Sequence, residues 1–394
     1  MTVLVINSGS SSIKYQLIDP ESGDALASGL VERIGEEIGH YRHKFAGQVT
    51  DIEEPVPDHA VGLKKVVELF NTKGPRLDLV HIKAIGHRVV QGGKYFSKAA
   101  LIDDAVTEKI RELVPLGPLH NPAHLKGIEV ALDLFPNIPN VAVFDTAFFQ
   151  DLPAEAALYA LDREVAEKYE IRRYGAHGTS HRYVSNKVSK MTGRKDLKQI
   201  VLHLGNGASA SAVVNGHAID TSMGLTPLAG LVMGTRTGDI DPATVFHLQR
   251  VAGMTTDEID TLFNKKSGLK GLAGDNDMRN VRERALAGDR IAQEAHDVYV
   301  HRLVHYIGAY TAEMGGLDVL TFTAGVGEND HFTRARVMDR LAPFGVKYDP
   351  AVNETPSKEP RLISTSDSSV KVMVVPTNEE LAIAREAMEL VDSL

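Results

Sequence analysis

Asn7, Ser8, Gly9, Ser10, Ser11 and Ser12, with Lys14 just beyond, bring several backbone N–H groups and five side-chain donors into one bend. That bend suits an anion, although Ser, Asn and Gly are also the usual formers of plain surface turns. It is not a Walker A loop, because no second glycine stands before the lysine and no helical pattern follows. Three more glycine-rich turns end strands or apolar runs: "HLGNGAS" (203–209), "MGTRTGD" (233–239) and "TAGVGEND" (323–330). Glycine lets the backbone approach a phosphate with no Cβ in the way, and ligands of open α/β sheets collect at strand carboxyl ends. Several such turns together point to a nucleotide.

Charged residues in apolar settings add to this. "GHRVVQGG" places Arg88 beside Val89, and "VAVFDTAFF" puts Asp145 directly after a buried-looking strand. A guanidinium fork grips a carboxylate or phosphate at two points; a surface ion pair is the plain alternative for Arg88 and also for Arg236 in "GTRTGD". His177 and His181 are four apart, but the zincin pattern needs H-E-x-x-H inside a helix, and no glutamate is present here. Thr179 or Ser180 reads as a helix N-cap. His177, just before it, is placed to donate a hydrogen bond to an anion, and His181 reads as structural. In "VVPTNEELAIA" Glu379 opens a helix, where a carboxylate is favoured electrostatically; it could equally hold a magnesium ion through water.

These residues need a framework, and the chain supplies one. Strand-like runs recur at 82–85, 141–144, 200–204, 319–322 and 370–375, and 60–70, 105–114, 123–135, 290–314 and 379–391 show apolar spacing near 3.6. The class is α/β. "VLVINSGSSSIKYQLI" (3–18) and "VLHLGNGASASAVVNG" (201–216) share a strand–turn–strand design 198 residues apart, with Gly207 on Gly9 and Ser209 on Ser11. A duplicated fold accounts for this, as does the small number of hairpin rules. The mixed segment 150–174 reads as a crossing between halves.

At 394 residues the length suggests about two to three domains. The formal charge of −9 argues against a general nucleic-acid or membrane surface, so phosphate binding must come from a local cluster of donors. No apolar run approaches the roughly 20 residues of a membrane helix. Zero cysteines exclude disulfides and thiolate chemistry and suit a reducing cytoplasm.

Taken in order, "NSGSSSIKY", "GHRVVQGG", "FDTAFF", "YGAHGTSH", "HLGNGAS", "DTSMGLTPLAGLVMGTRTGDIDPA", "DMR" (277–279), "AGVGEN" and "PTNEELAIA" resemble the acetate kinase family over nearly the whole chain. The resemblance implies two ribonuclease-H-like lobes of the actin-like ATPase type, with mixed sheets flanked by helices and a magnesium–ATP site in the interlobe cleft. It implies residues 1–149 plus 381–394 as the N-terminal lobe, and 150–380 as a nucleotide-binding, dimer-forming C-terminal lobe. The expected reaction is reversible transfer of a phosphoryl group between ATP and acetate, giving ADP and acetyl phosphate, in a cytoplasmic homodimer that binds neither nucleic acid nor membrane. Position by position it assigns Asn7 and Glu379 to Mg²⁺, with Mn²⁺ as a substitute, and Ser10, Ser12 and Lys14 to the phosphate chain. Arg88, Asp145, His177 and Arg236 form the catalytic set. Val90, Leu119 and Pro227, with Arg88, receive the acetate. His203, Leu204, Gly205, Asn206, Gly207, Asp277, Met278, Arg279, Gly325, Val326, Gly327, Glu328 and Asn329 surround the nucleotide.

The chemistry fits this set. Acetate has lost its proton well below neutral pH, so it needs no general base, and Asp145 is better read as orienting an arginine than as an acid or base. One position departs from the family pattern Tyr-Gly-Phe-His-Gly-Thr-Ser-His: Ala176 replaces the phenylalanine, which implies a looser His177 or a larger acyl site. A propionate or butyrate kinase and a nucleotide-gated binding protein of the chaperone or actin type are the competing expectations.

Overall fold

The computed structural model describes residues 1–394, which divide into two compact units, Met1–Gln150 with Asn378–Leu394, and Asp151–Thr377. Glu379 and Glu380 therefore belong to the first unit. Segment 150–174 does not stand apart as a crossing. From Asp151 it is part of the second unit, where Arg173 Nη1 donates to the carbonyls of Thr221 and Met223 at 2.9 and 3.1 Å.

The first unit is built on an eight-stranded sheet of β1 (Thr2–Ser8), β2 (Ser12–Ile18), β3 (Ala25–Glu32), β4 (Gly39–Phe45), β5 (Gln48–Glu54), β6 (Ile82–Val89), β7 (Ala100–Leu101) and β8 (Asn140–Phe144). Their order is β5-β4-β3-β2-β1-β6-β8-β7. β1 is antiparallel to β2 but parallel to β6, which is parallel to β8. Val3 to Ile6 are all buried, as a central strand covered on both faces requires. Leu4 and Ile6 pack into a cluster with Leu63, Val66 and Phe70 of the helix His59–Lys73. On the opposite face Gly86, the β6 partner of Val5, lies under Ile383 of the helix Glu379–Asp392. Each buried Val, Leu or Ile contributes roughly 1.5–3 kcal/mol, which fixes β1, β6 and β8 as a rigid platform.

The second unit carries β9 (Lys198–Leu204), β10 (Ala208–Val214), β11 (His217–Thr221), β12 (Val319–Thr323), β13 (Arg361–Leu362) and β14 (Lys371–Val374), in the order β11-β10-β9-β12-β14-β13. The run β11-β10-β9-β12-β14 repeats β3-β2-β1-β6-β8, with antiparallel strands first and parallel strands after. The two similar hairpins of the sequence are thus corresponding parts of a repeated topology. Ile200, Leu202, Phe322 and Val374 pack against Tyr299, Leu303 and Ile307 of the long helix Arg290–Glu313. Val201, Val319 and Met373 face Val184 and Val188 of the helix Gly178–Thr192. No helix is long and apolar enough to cross a membrane.

Candidate active site

In the first unit, three parallel strands end side by side. Asn7 lies at the end of β1, Arg88 at the end of β6, and Asp145 directly after β8. The turn after β1 is set by Gly9, whose N–H donates to the Ser12 carbonyl at 2.7 Å and whose own carbonyl lies 2.7 Å from His59 Nε2. A Cβ at position 9 would stand 2.9 Å from Ser12 Oγ, so a larger residue there would turn the Ser12 hydroxyl away from its present position. Ser10 is exposed and Ser12 half-buried. Lys14 forms an ion pair with Glu380.

Asp145 is fully buried, and both its oxygens face the Arg88 guanidinium. Arg88 Nε donates at 3.3 and 3.1 Å and Nη2 at 2.7 Å. Burial opposes the charge on Arg88, but Asp145, then Glu379, outweigh it and raise its pKa. Arg88 Nε also lies 3.9 Å from Glu379 Oε2. Asn378 caps the helix by accepting from Leu381 N at 3.0 Å, which delivers Glu379 and Glu380 at its first turn. Glu380 reaches Lys14, the cross-strand partner of Asn7, while Glu379 reaches Arg88. Asn7 and Glu379 are thereby brought to the same end of the sheet.

Burial pushes the Glu379 carboxyl up from its ordinary range; Arg88 opposes the rise, and Asp145 and Glu380 add to it. Here three carboxylates face two cations, Arg88 and Lys14. A divalent cation fits that imbalance, and magnesium commonly takes only one or two protein oxygens with the remainder from water and phosphate. The sign of the shift gives a test. An acid whose pKa is raised in the folded state loses stability as pH climbs from the ordinary carboxylate range through the raised value. Glu379→Gln is therefore expected to leave metal-free protein at neutral pH at least as stable as the parent, and to raise the magnesium concentration needed for half activity about tenfold. Urea unfolding without metal and a magnesium titration of activity read the two effects; a destabilised variant with unchanged magnesium response contradicts the assignment.

In the second unit the turn Gly205-Asn206-Gly207 joins β9 to β10, closed by Gly205 N to Gly207 O at 3.0 Å. Gly207 is a point of convergence. A Cβ there would lie 3.4 Å from His177 Cε1, 3.5 Å from His177 Nε2 and 3.7 Å from Arg236 Nη1, so both side chains border this glycine. His177 is not ahead of the cap but is itself the N-cap of the helix Gly178–Thr192, in a left-handed conformation at φ 59°, which displaces the cap expected at Thr179 or Ser180. Its ring stacks on His203 with centroids 4.2 Å apart. His203 Nδ1 lies 2.8 Å from Ser180 Oγ, which is also 2.8 Å from Thr377 Oγ1. Both nitrogens of the buried His181 meet serine hydroxyls, Ser209 at 2.7 Å and Ser211 at 2.7 Å, in keeping with a structural residue. Arg236 Nη1 donates to the Pro227 carbonyl at 2.8 Å.

Beside this turn lies a cavity of about 530 Å³. Gly205, Asn206, Asp277, Met278, Arg279, Gly325, Val326 and Asn329 line it. His203, Leu204, Gly207, Gly327 and Glu328 do not. Glu328 instead accepts from Ala324 N at 2.8 Å and Thr377 N at 3.1 Å. The stretch "AGVGEN" is a short helix, Ala324–Asn329, rather than an open turn, entered through Ala324 at φ 64°. Asp277 caps the helix Met278–Leu286 through Arg279 N at 2.9 Å. Sequence reasoning missed Leu269, Asn276, Arg282 and Tyr299 as cavity residues; Gly234 and Asp330 lie inside the quoted turns 233–239 and 323–330 without being assigned individually, Asn276 adjoins "DMR", and Tyr299 carries no local signal inside its long helix. Of the expected acyl-site residues, Val90 is buried after β6, Leu119 is 39% exposed in the first unit, and Pro227 belongs to the second.

The chain is 54% identical over 387 residues to a protein named acetate kinase from Corynebacterium efficiens, covering 97% of each. It is 54% identical over 393 residues to one from Streptomyces avermitilis, covering 99% of this chain and 97% of the relative. Among solved structures it is similar to a propionate kinase from Francisella tularensis, with a TM-score of 0.94, 42% identity and coverage of 98% and 99%. It is likewise similar to an acetate kinase from Porphyromonas gingivalis, with a TM-score of 0.93, 41% identity and 99% of both chains covered. These neighbours share the actin-like ATPase fold. The family model described as the acetokinase family matches residues 2–385, so the chain belongs to the acetokinase family.

Proposed function

We propose that this protein is an acetate kinase, which transfers the γ-phosphoryl group of ATP reversibly and directly to acetate, giving acetyl phosphate and ADP. The observation that carries the reading is the approach of the His177 ring and Arg236 Nη1 to Gly207, beside the cavity assigned here to the nucleotide. Acetate arrives already ionised. It needs no proton removed, only a held position and neutralised charge. Arg88 supplies the cation for the carboxylate, and Asp145, with both oxygens engaged on that guanidinium, sets its orientation. His177 and Arg236 donate to the phosphoryl oxygens as negative charge moves between the two partners. Asn7 and Glu379 are the residues that would hold Mg²⁺, which when bound neutralises phosphate charge.

A second reading is supported by Ala176, which is small and buried beside His177, and by the similarity to the Francisella propionate kinase. A larger acyl site would admit one more methylene. The test for both is hydroxylamine trapping of the acyl phosphate formed from ATP, Mg²⁺ and acetate, propionate or butyrate. Acyl hydroxamate from acetate supports the first reading. A ratio of kcat/KM near one for propionate against acetate supports the wider site, a strong preference for acetate removes it, and no hydroxamate from any acid overturns both.

We also infer a homodimer. The helix Ala243–Ala252 buries none of its residues and leaves Phe246 53% and Val251 72% exposed, an apolar surface that a second copy would cover. Sedimentation at a monomer mass would contradict this. The cysteine-free chain suits a reducing cytoplasm.

A further inference from the structure

Behind His177 the second unit contains a buried row of hydroxyls and rings that the reaction as described does not use. His177 Nδ1 lies 2.9 Å from Ser209 Oγ, Ser209 Oγ lies 2.7 Å from His181 Nε2, and His181 Nδ1 lies 2.7 Å from Ser211 Oγ. Ser209, His181 and Ser211 are fully buried. Ser209 and Ser211 alternate on one face of β10, and His181 lies on the first turn of the helix that His177 caps.

Proton counting gives the row a direction. A serine has one hydrogen to donate and a neutral imidazole has one. If His177 Nδ1 carried its proton, it would donate to Ser209, Ser209 to His181 Nε2, and His181 Nδ1–H to Ser211. The Ser211 hydroxyl would then hold a hydrogen with no acceptor in a site closed to water, because the His181 ring is its one side-chain partner. A buried unmatched donor is disfavoured. Run the other way, every hydrogen is matched: Ser211 donates to His181 Nδ1, His181 Nε2–H to Ser209, and Ser209 to His177 Nδ1. The His177 proton is then on Nε2, the atom facing Gly207 and Arg236. Burial, then His203, lowers the His181 pKa well below its ordinary value, which keeps that ring neutral and the count valid.

We propose that Ser209, His181 and Ser211 are positioning residues, forming a one-directional hydrogen-bond chain that holds His177 as the Nε2–H tautomer, so that it presents a donor rather than a lone pair to the migrating phosphoryl group. The tautomer part stands on geometry alone, and the phosphoryl part rests on the function proposed above. Nothing in the chain touches substrate except His177 at its end. The chain sets which nitrogen is protonated and holds the ring plane, the task that a buried carboxylate performs in other histidine sites.

The ring nitrogens report this directly. In full-length protein carrying ¹⁵N-labelled histidine, near neutral pH, the signals lost in His177→Gln identify His177. The expected pattern is a protonated Nε2 and an unprotonated, hydrogen-bonded Nδ1. Ser209→Ala should mix the tautomers and lower kcat about tenfold, a part of the 10²–10³-fold that loss of a whole transition-state donor costs, with KM for ATP within about twofold. Ser209→Thr keeps the hydroxyl and should restore both readouts; Ser211→Ala should weaken the bias while leaving the Ser209 contact in place. His177 protonated on Nδ1 in the parent protein overturns the proposal even if Ser209→Ala fails to fold, as does a folded Ser209→Ala with unchanged tautomer and turnover. The expected tautomer in a protein that makes no acyl phosphate would support the chain and reject the function instead.

Discussion

Arg236→Ala is expected to lower kcat by roughly 10²–10³-fold, as loss of one transition-state donor does elsewhere, while changing KM for ATP little. The two parts follow from where the residue stands. Its Nη1 lies 3.7 Å from where a Cβ on Gly207 would stand, yet the residue is absent from the lining of the cavity proposed for the nucleotide. Its guanidinium is held by the Pro227 carbonyl and its loop by Met233 N to Arg236 O at 3.2 Å, so it is placed before substrate arrives. Steady-state kinetics with ATP varied at saturating acetate separates the effects. An unchanged kcat would remove Arg236 from the site, and a large rise in KM for ATP with kcat intact would make it a nucleotide anchor.

The Arg88–Asp145 pair carries the second large effect. Removing Arg88 leaves the fully buried Asp145 without its cation, and such a break costs about 3–5 kcal/mol. Arg88→Ala should thus lose both turnover and stability, seen as an earlier urea midpoint. The double variant Arg88→Ala/Asp145→Ala removes the stranded charge and should recover a substantial part of the stability without recovering turnover. Recovery of turnover along with stability would make the pair a structural ion pair and leave the acetate without its proposed partner.

The framework that presents these residues was legible where burial dominates the sequence. β1, β6, β8, β9 and β12 are central strands covered on both faces, so they read as mostly apolar, strand-like runs, and the helix patterns at 60–70 and 290–314 fall within a few residues of the observed His59–Lys73 and Arg290–Glu313. Strands β3 to β5 were not anticipated, because their polar alternation marks the open side of a sheet rather than its core. "AGVGEN" misled for another reason: glycine disfavours helix locally, and the Glu328 carboxylate, reaching back to Ala324 N and across to Thr377 N, overrides that preference. Individual motifs signalled Arg88, Asp145 and Arg236, but not that Asp145 would bind Arg88 with both oxygens. Ser209 was visible only as the counterpart of Ser11 in a repeated hairpin. Its contact with two histidines, 32 and 28 residues away, arises from the packing of a helix against β10.

The central claim is that a carboxylate oxygen of acetate is the nucleophile that attacks phosphorus. ³¹P NMR with [¹⁸O₂]acetate, unlabelled ATP and Mg²⁺ tests it. The account predicts an acetyl phosphate resonance that carries the small upfield isotope shift of one ¹⁸O bonded to phosphorus. Acetyl phosphate without that shift, or ATP consumed only to inorganic phosphate, would contradict it.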